Sequence, residues 1–234
     1  HQHLSSGLTG FEVMGRFALS LVVKHYPQQR VPFFEVGSAG APFCVLLENS
    51  DNESEAHARE RFERLLEAAI ADGCVSDAIV AESMAQAKAL WHIRESLPLA
   101  QAEEGLNIKH DISIKVSRIP EFVRVTDALL LKHCPGVRLV NYGHLGDGNL
   151  HYNVQAPDGV DAAKFLNEQE LAINTLVYES VQQFKGSISA EHGVGSLKVE
   201  KLERHKSPVA LGLMRAIKHA LDPKNLMNPG RVLR

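Results

Sequence analysis

The chain has 234 residues, 44% hydrophobic and 23% charged, enough to bury the core of one large domain or two small ones. A formal net charge of -3 and a pI near 6.5 exclude a broad basic surface, which argues against nucleic acid and anionic membrane as partners and for small-molecule chemistry. Three scattered cysteines, Cys44, Cys74 and Cys134, contain no CxxC pair, so neither a disulfide framework nor a thiolate zinc site is indicated, and a reducing cytoplasm fits.

The N-terminal "HQHLSSGLTG" has neither the basic start nor the apolar run of a signal peptide, lacks an initiator methionine, and reads as the interior of a longer chain. No stretch approaches the about 18 apolar residues of a membrane span. Residues 1–40 are expected to hold a helix and a loop, the loop bracketed by Pro27 and Pro32. Apolar runs at 43–49, 77–81 and 109–116 read as strands. Between the first two, 53–73 places Ala56, Phe62, Leu65, Leu66, Ala69 and Ile70 on one helical face and closes with Asp72 and Gly73. "SMAQAKALWHIRESL" predicts a helix over 83–97. A further helix is predicted over 117–134, with Ser117 as cap and Pro120 in the first turn. "VRLVNYG" and "NLHYNVQ" predict strands over 138–144 and 149–155 joined by a glycine-rich turn, and the segment 161–184 predicts a long helix. Strands separated by helices, with one direct hairpin, imply an α+β fold: an antiparallel or mixed sheet covered by helices. No internal repeat or low-complexity linker interrupts it.

The hairpin carries His144 and His151 around "LGDGN", and "GSISAEHGVG" at 186–195 supplies Glu191 and His192 in a second glycine-bounded segment. Taken singly, each histidine reads as an ordinary strand residue. Together, two neutral imidazoles and a carboxylate make a His2Glu set that suits zinc or a similar divalent ion and leaves positions open for water or substrate. Upstream, Arg94 lies on the helix among Trp91, Ile93 and Leu97, and Lys109 stands at a strand start. Either could be plain surface charge. As a pair they suit a carboxylate, the guanidinium gripping it bidentately and the ammonium adding a point charge.

The segments "NIKHDISIKVSRIPEF", "GHLGDGNLHYNV", "SISAEHGVG" and "ALDPKNLMNPGRVL", in this order, resemble the C-terminal half of the FAD-linked oxidases of the vanillyl-alcohol oxidase type, nearest to the dehydrogenases of D-2-hydroxyglutarate and D-lactate and to the glycolate oxidase FAD subunit. The likeness covers essentially the whole chain. It implies a ferredoxin-like α+β substrate domain with a C-terminal helical segment, spanning 1–234 and normally preceded by a separate FAD-binding domain. It implies FAD, held mainly by that other domain, and a divalent metal, with zinc the first choice. It makes His144, His151 and Glu191 the metal ligands, His192 the base, Arg94 and Lys109 the carboxylate clamp, and Asn149 and Asn153 pocket residues. Asn228 in "MNPGR" is the position that reaches the flavin. The partners implied are a small 2-hydroxy acid and the FAD-binding domain of the same full-length protein; the electron acceptor and homodimerisation stay open. With no GxGxxG after a strand, the chain by itself is expected to purify colourless.

One departure bears on substrate choice: some relatives carry a hydroxyl residue four positions after the arginine, where this chain has Pro98. Two other readings compete. "GDGNLH" has the look of metallophosphoesterase GD and GNH motifs, but those are widely separated in hydrolases and fused here, with no upstream DxH. A binding domain that keeps metal and acid sites without chemistry is the other.

Overall fold

The computed structural model describes residues 7–34 and 40–234, so the parts of the expected N-terminal helix and loop at 1–6 and 35–39 lie outside the described residues. The fold is α+β, and every strand pairing with a defined register is antiparallel. The chain divides into two compact units, one formed by 1–107 with 138–147 and the other by 108–137 with 148–234.

In the first unit, strand β1 (Leu8–Gly15) runs straight into helix α1 (Arg16–His25) and pairs with β2 (Phe43–Asn49) and β5 (Arg138–His144). β1 is a strand that the sequence did not announce, since Gly10, Glu12 and Gly15 dilute its apolar pattern. Helix α2 (Glu55–Ala71) starts at Ser54, whose hydroxyl accepts the His57 N–H, and ends at Asp72 and a left-handed Gly73, as predicted. Its expected apolar face is only half-covered: Ala56 and Ile70 are exposed, and no residue of α2 is fully buried. Helix α3 (Met84–Glu104) is capped by Ser83 on the Gln86 N–H and continues past Pro98 for another turn and a half. Pro98 supplies no N–H to the carbonyl of Arg94, four residues back. The core of this unit packs Ala18, Leu19, Leu21 and Val22 of α1 with Ile93, Leu97 and Ala100 of α3 against Met14, Leu46, Val140 and Tyr142.

The strand expected at 77–81 does not form. Ile79 there is half exposed, and no strand pairs with the segment. The strand expected at 109–116 shortens to β4 (Asp111–Ser113), preceded by the two-residue β3 (Asn107–Ile108).

The second unit pairs β4 with β6 (Asn149–Gln155), aligning Asp111 with His151 and Ser113 with Asn149. Period-two alternation divides β6 cleanly: Leu150, Tyr152 and Val154 point into the apolar core, while Asn149, His151 and Asn153 share the opposite face. Helices α4 (Ile119–His133) and α5 (Ala162–Gln183) supply Phe122, Leu130, Ile173, Val177 and Val181 to that core, and Phe122 meets Tyr152 and Phe184 edge-on. Ser117 is not the cap of α4. It lies within a single 3-10 turn, Val116–Arg118, and Pro120 takes the first-turn position. Two further helices, α6 (Val199–His205) and α7 (Pro208–Leu221), form the expected C-terminal helical segment. Among the described residues no helix is long and apolar enough to cross a membrane.

Candidate active site

The polar face of β4 and β6 is the floor of the site in the second unit. His151 lies opposite Asp111 across the antiparallel pair, which brings an imidazole and a carboxylate together. The "SAEHG" loop completes the group. Asp111 Oδ2 accepts the backbone N–H of Ala190 (3.1 Å), Glu191 (2.9 Å) and His192 (2.8 Å), so one buried carboxylate holds three successive residues of the loop. Glu191 Oε1 thereby sits 3.0 Å from His151 Nε2, and the His192 ring stacks on that of His151 with centroids 5.5 Å apart. Ligand-capable atoms of Asp111, His151, Glu191 and His192 all lie within 4.8 Å of one another.

Burial alone would raise the Asp111 carboxyl pKa, but the N–H groups of His192 and Glu191, helped by the His192 ring and the Ala190 N–H, more than offset it and hold the pKa below the ordinary value. Its second oxygen, Oδ1, is buried and has no hydrogen-bond partner among the described residues. Asn149, also buried, leaves its Oδ1 in the same condition. Orphaned buried acceptors beside two imidazoles and a glutamate suit a divalent cation or a donor-bearing ligand, and this group fits a metal while sharing only His151 and Glu191 with the expected ligand set.

The first unit brings a different set together. Glu12 and His144 are direct cross-strand partners in the β1–β5 pair, and Glu12 Oε1 lies 2.8 Å from His144 Nδ1. The other oxygen of Glu12 accepts from Arg94 Nε at 2.8 Å. Arg94 is buried, as its apolar neighbours on α3 imply, and its guanidinium lies 5.3 Å from the centre of the Tyr142 ring. A shallow cavity lined by Gly10, Phe11, Glu12, His144, Gly146 and Asp147 opens beside this triad.

Of the predicted metal ligands, His151 and Glu191 are thus brought into contact, and His144, half-buried, is held by Glu12 in the other unit. His192, the predicted base, stands in the His151 group, with Nδ1 3.9 Å from Asp111 Oδ2. Lys109 is exposed. Asn153 is buried on the polar face, but its Oδ1 accepts the His110 N–H at 3.0 Å, so part of its role is to fix the backbone beside Asp111. Asn228 is exposed, with a φ of 48°. Glu12 and Asp111 are the two site residues the sequence reading missed. Each is a carboxylate inside an otherwise apolar strand pattern, "FEVM" and "HDISI", and such an interruption is the signal that could have found them.

A second potential cation group, Asp51, Glu53 and His57 at the start of α2, has Arg61 lying 3.4 Å from Asp51, and that guanidinium already supplies positive charge.

Comparison with known proteins agrees with this architecture. The family profile described as "FAD linked oxidases, C-terminal domain" matches residues 1–232, and the chain belongs to that family. It is 37% identical over 228 residues to a D-2-hydroxyglutarate dehydrogenase of Stutzerimonas stutzeri, covering 96% of this chain and 47% of that protein. It is 34% identical over 232 residues to the mitochondrial D-2-hydroxyglutarate dehydrogenase of Arabidopsis thaliana, covering 99% and 39%. Over 230 residues it is 35% identical to the mitochondrial enzyme of that name from Danio rerio, covering 97% and 40%. The chain therefore spans less than half the length of these relatives. Among solved structures, 4-ethylphenol oxidase from Gulosibacter chungangensis, in its isoeugenol complex, shares the fold with a TM-score of 0.54 over 95% of this chain and 47% of that one, at 14% identity.

Proposed function

We propose that this chain is the substrate- and metal-binding half of an FAD-dependent dehydrogenase that oxidises a D-2-hydroxy acid to the 2-oxo acid, with D-2-hydroxyglutarate ahead of D-lactate and glycolate. The observation that carries the reading is the Asp111-held group of His151, Glu191 and His192, whose donor set suits a divalent ion beside a base. The names of the relatives favour D-2-hydroxyglutarate among the acids.

In this reading His144, His151 and Glu191 hold a divalent metal, zinc being the first choice, which would lower the pKa of a substrate hydroxyl. FAD, carried mainly by the rest of the protein and approached by Asn228, would accept the hydride from Cα. His192 takes the hydroxyl proton. Its Nδ1 faces Asp111, which leaves Nε2 as the accepting atom. Arg94 and Lys109 neutralise carboxylates, while Asn149 offers an uncommitted buried carbonyl oxygen to a donor on the substrate. The free thiols of Cys44, Cys74 and Cys134 favour a reducing compartment such as the cytoplasm.

The test is anaerobic mixing of the full-length flavoprotein with each acid. D-2-hydroxyglutarate should bleach the flavin absorbance while its L-enantiomer does not. Failure of D-2-hydroxyglutarate, D-lactate and glycolate alike to bleach it would overturn the reading.

A further inference from the structure

Glu12 occupies a position that the proposed chemistry does not yet use. It is a buried carboxylate in the middle of a strand, and both of its oxygens are engaged, one by His144 and the other by Arg94. These two partners come from separate elements, 132 and 82 residues away in sequence, yet one side chain fixes both. They are the residues assigned above to the metal and to the substrate carboxylate.

The contact atoms give the arrangement a direction. A carboxylate can only accept, so the short contact to His144 Nδ1 places the proton on Nδ1 and leaves Nε2 bearing the lone pair that a metal requires. In a free neutral imidazole the proton is divided between the two nitrogens. The cross-strand register sets the distance, because Glu12 faces His144 across a β1–β5 pair that Met14 and Tyr142 continue into the apolar core. On the other side, Glu12 engages Arg94 through Nε, the inner nitrogen of the guanidinium, whose central carbon lies over the Tyr142 ring. Glu12 takes only Nε and so does not occupy the outer Nη pair, the edge of a guanidinium that suits a bidentate anion.

We infer that Glu12 is a positioning residue that locks His144 in the Nδ1–H tautomer, with Nε2 presented as ligand atom, and at the same time orients Arg94 for the substrate carboxylate. The inference rests on the assignment of His144 and Arg94 made under the proposed function. It goes further in tying the two sites together through one carboxylate. Removing that carboxylate weakens both metal and substrate binding, although Glu12 touches neither ligand.

The test uses the full-length flavoprotein stripped of metal, with zinc affinity read by competition with a chromophoric chelator. Glu12→Gln cannot accept from both partners, since one end of its amide is a donor. It should lose about ten- to a hundredfold in zinc affinity, the range typical of outer-shell partners of metal-ligating histidines, and raise KM for D-2-hydroxyglutarate more than it lowers kcat. His144→Ala is the reference. Zinc affinity lost in His144→Ala but within about twofold of wild type in Glu12→Gln overturns the role of Glu12 and leaves the metal assignment standing. Zinc affinity unchanged in both overturns the metal assignment of His144 and the inference with it. A second measurement needs no folded Glu12 variant. Long-range proton–nitrogen correlation of histidine-labelled wild type without metal, with His144 assigned by its loss in His144→Gln, should show the Nδ1–H tautomer. The Nε2–H tautomer contradicts the inference.

Discussion

Asp111 Oδ2 accepts the backbone N–H of His192 at 2.8 Å, so the proposed base is held by a carboxylate 81 residues away in sequence. The same oxygen takes the N–H groups of Glu191 and Ala190, and the position of the whole loop depends on it. Asp111→Ala should speed amide exchange at 190–192 and lower zinc affinity at least about tenfold. The loss in global stability should be only about 1–3 kcal/mol, because residues 190–192 are exposed and water can replace the lost acceptor. Hydrogen exchange followed by mass spectrometry provides the check. Unchanged protection at 190–192 would show that the loop is held by something else.

Arg94 and Lys109 should separate under mutation despite their shared assignment. Arg94→Ala takes the guanidinium from the buried Glu12 carboxylate and leaves it only His144, a loss of about 3 kcal/mol, and should also raise KM for the hydroxy acid about ten- to a hundredfold. Lys109 is exposed, so Lys109→Ala should change stability by no more than about 0.5 kcal/mol while still raising KM, most of all for a dicarboxylate. Urea unfolding and steady-state kinetics with D-lactate and D-2-hydroxyglutarate side by side measure both effects. Kinetic parameters within about twofold of wild type in Lys109→Ala would return that residue to the solvated surface.

Gly148, at the start of β6, has a φ of +74°, and a Cβ there would stand 2.2 Å from the carbonyl oxygen of Ile114. That stretch cannot move away cheaply, because the Ile114 N–H donates to the Gly148 carbonyl at 2.8 Å. Gly148→Ala combines left-handed strain with a backbone clash and should lower stability by about 3 kcal/mol. Its neighbour Asn149 would shift with it, so substrate affinity should fall too. A thermal midpoint equal to that of wild type would contradict this account of the turn.

Glu104, at the end of α3, gathers Lys24 (2.6 Å), His25 (2.8 Å) and Arg138 (2.7 Å). Burial pushes its carboxyl pKa up, but these three contacts together more than offset that and hold it at about 2. A depressed carboxyl pKa contributes stability at pH values above the unfolded value of 4.5, and the contribution drains away as pH falls toward about 2. Glu104→Gln should therefore be about 2–3 kcal/mol less stable near neutral pH, with the gap narrowing steadily across that acid window. Urea midpoints measured across the window test the sign; a gap that stays constant would contradict it.

The sequence revealed the strands and helices whose signals are local. β5 and β6 fall where alternation and glycines put them, and Ser83, Ser54 and Asp161 start α3, α2 and α5 as short polar caps before periodic runs. β1 was hidden because Glu12 breaks its apolar pattern, and a buried carboxylate makes sense only once Arg94 and His144 have been brought to it from distant segments. The segment 77–81 shows the converse. "DAIVA" has strand propensity, but among the described residues no strand pairs with it, and propensity without pairing does not make a strand. The site followed the same rule. His144, His151, Glu191 and His192 stood out by motif, whereas Asp111 and Glu12 left only an interrupted apolar pattern, and the partners that explain them come from distant segments.

The central claim is that this chain holds a divalent ion through His144, His151 and Glu191 beside the base His192. It is tested most directly by elemental analysis of the full-length protein, purified without chelator and then supplied with zinc. The account predicts one divalent ion per chain in wild type, lost in His151→Ala and in Glu191→Gln, with the FAD content unchanged. Well under one ion per wild-type chain after zinc addition, or full occupancy in both variants, would contradict it.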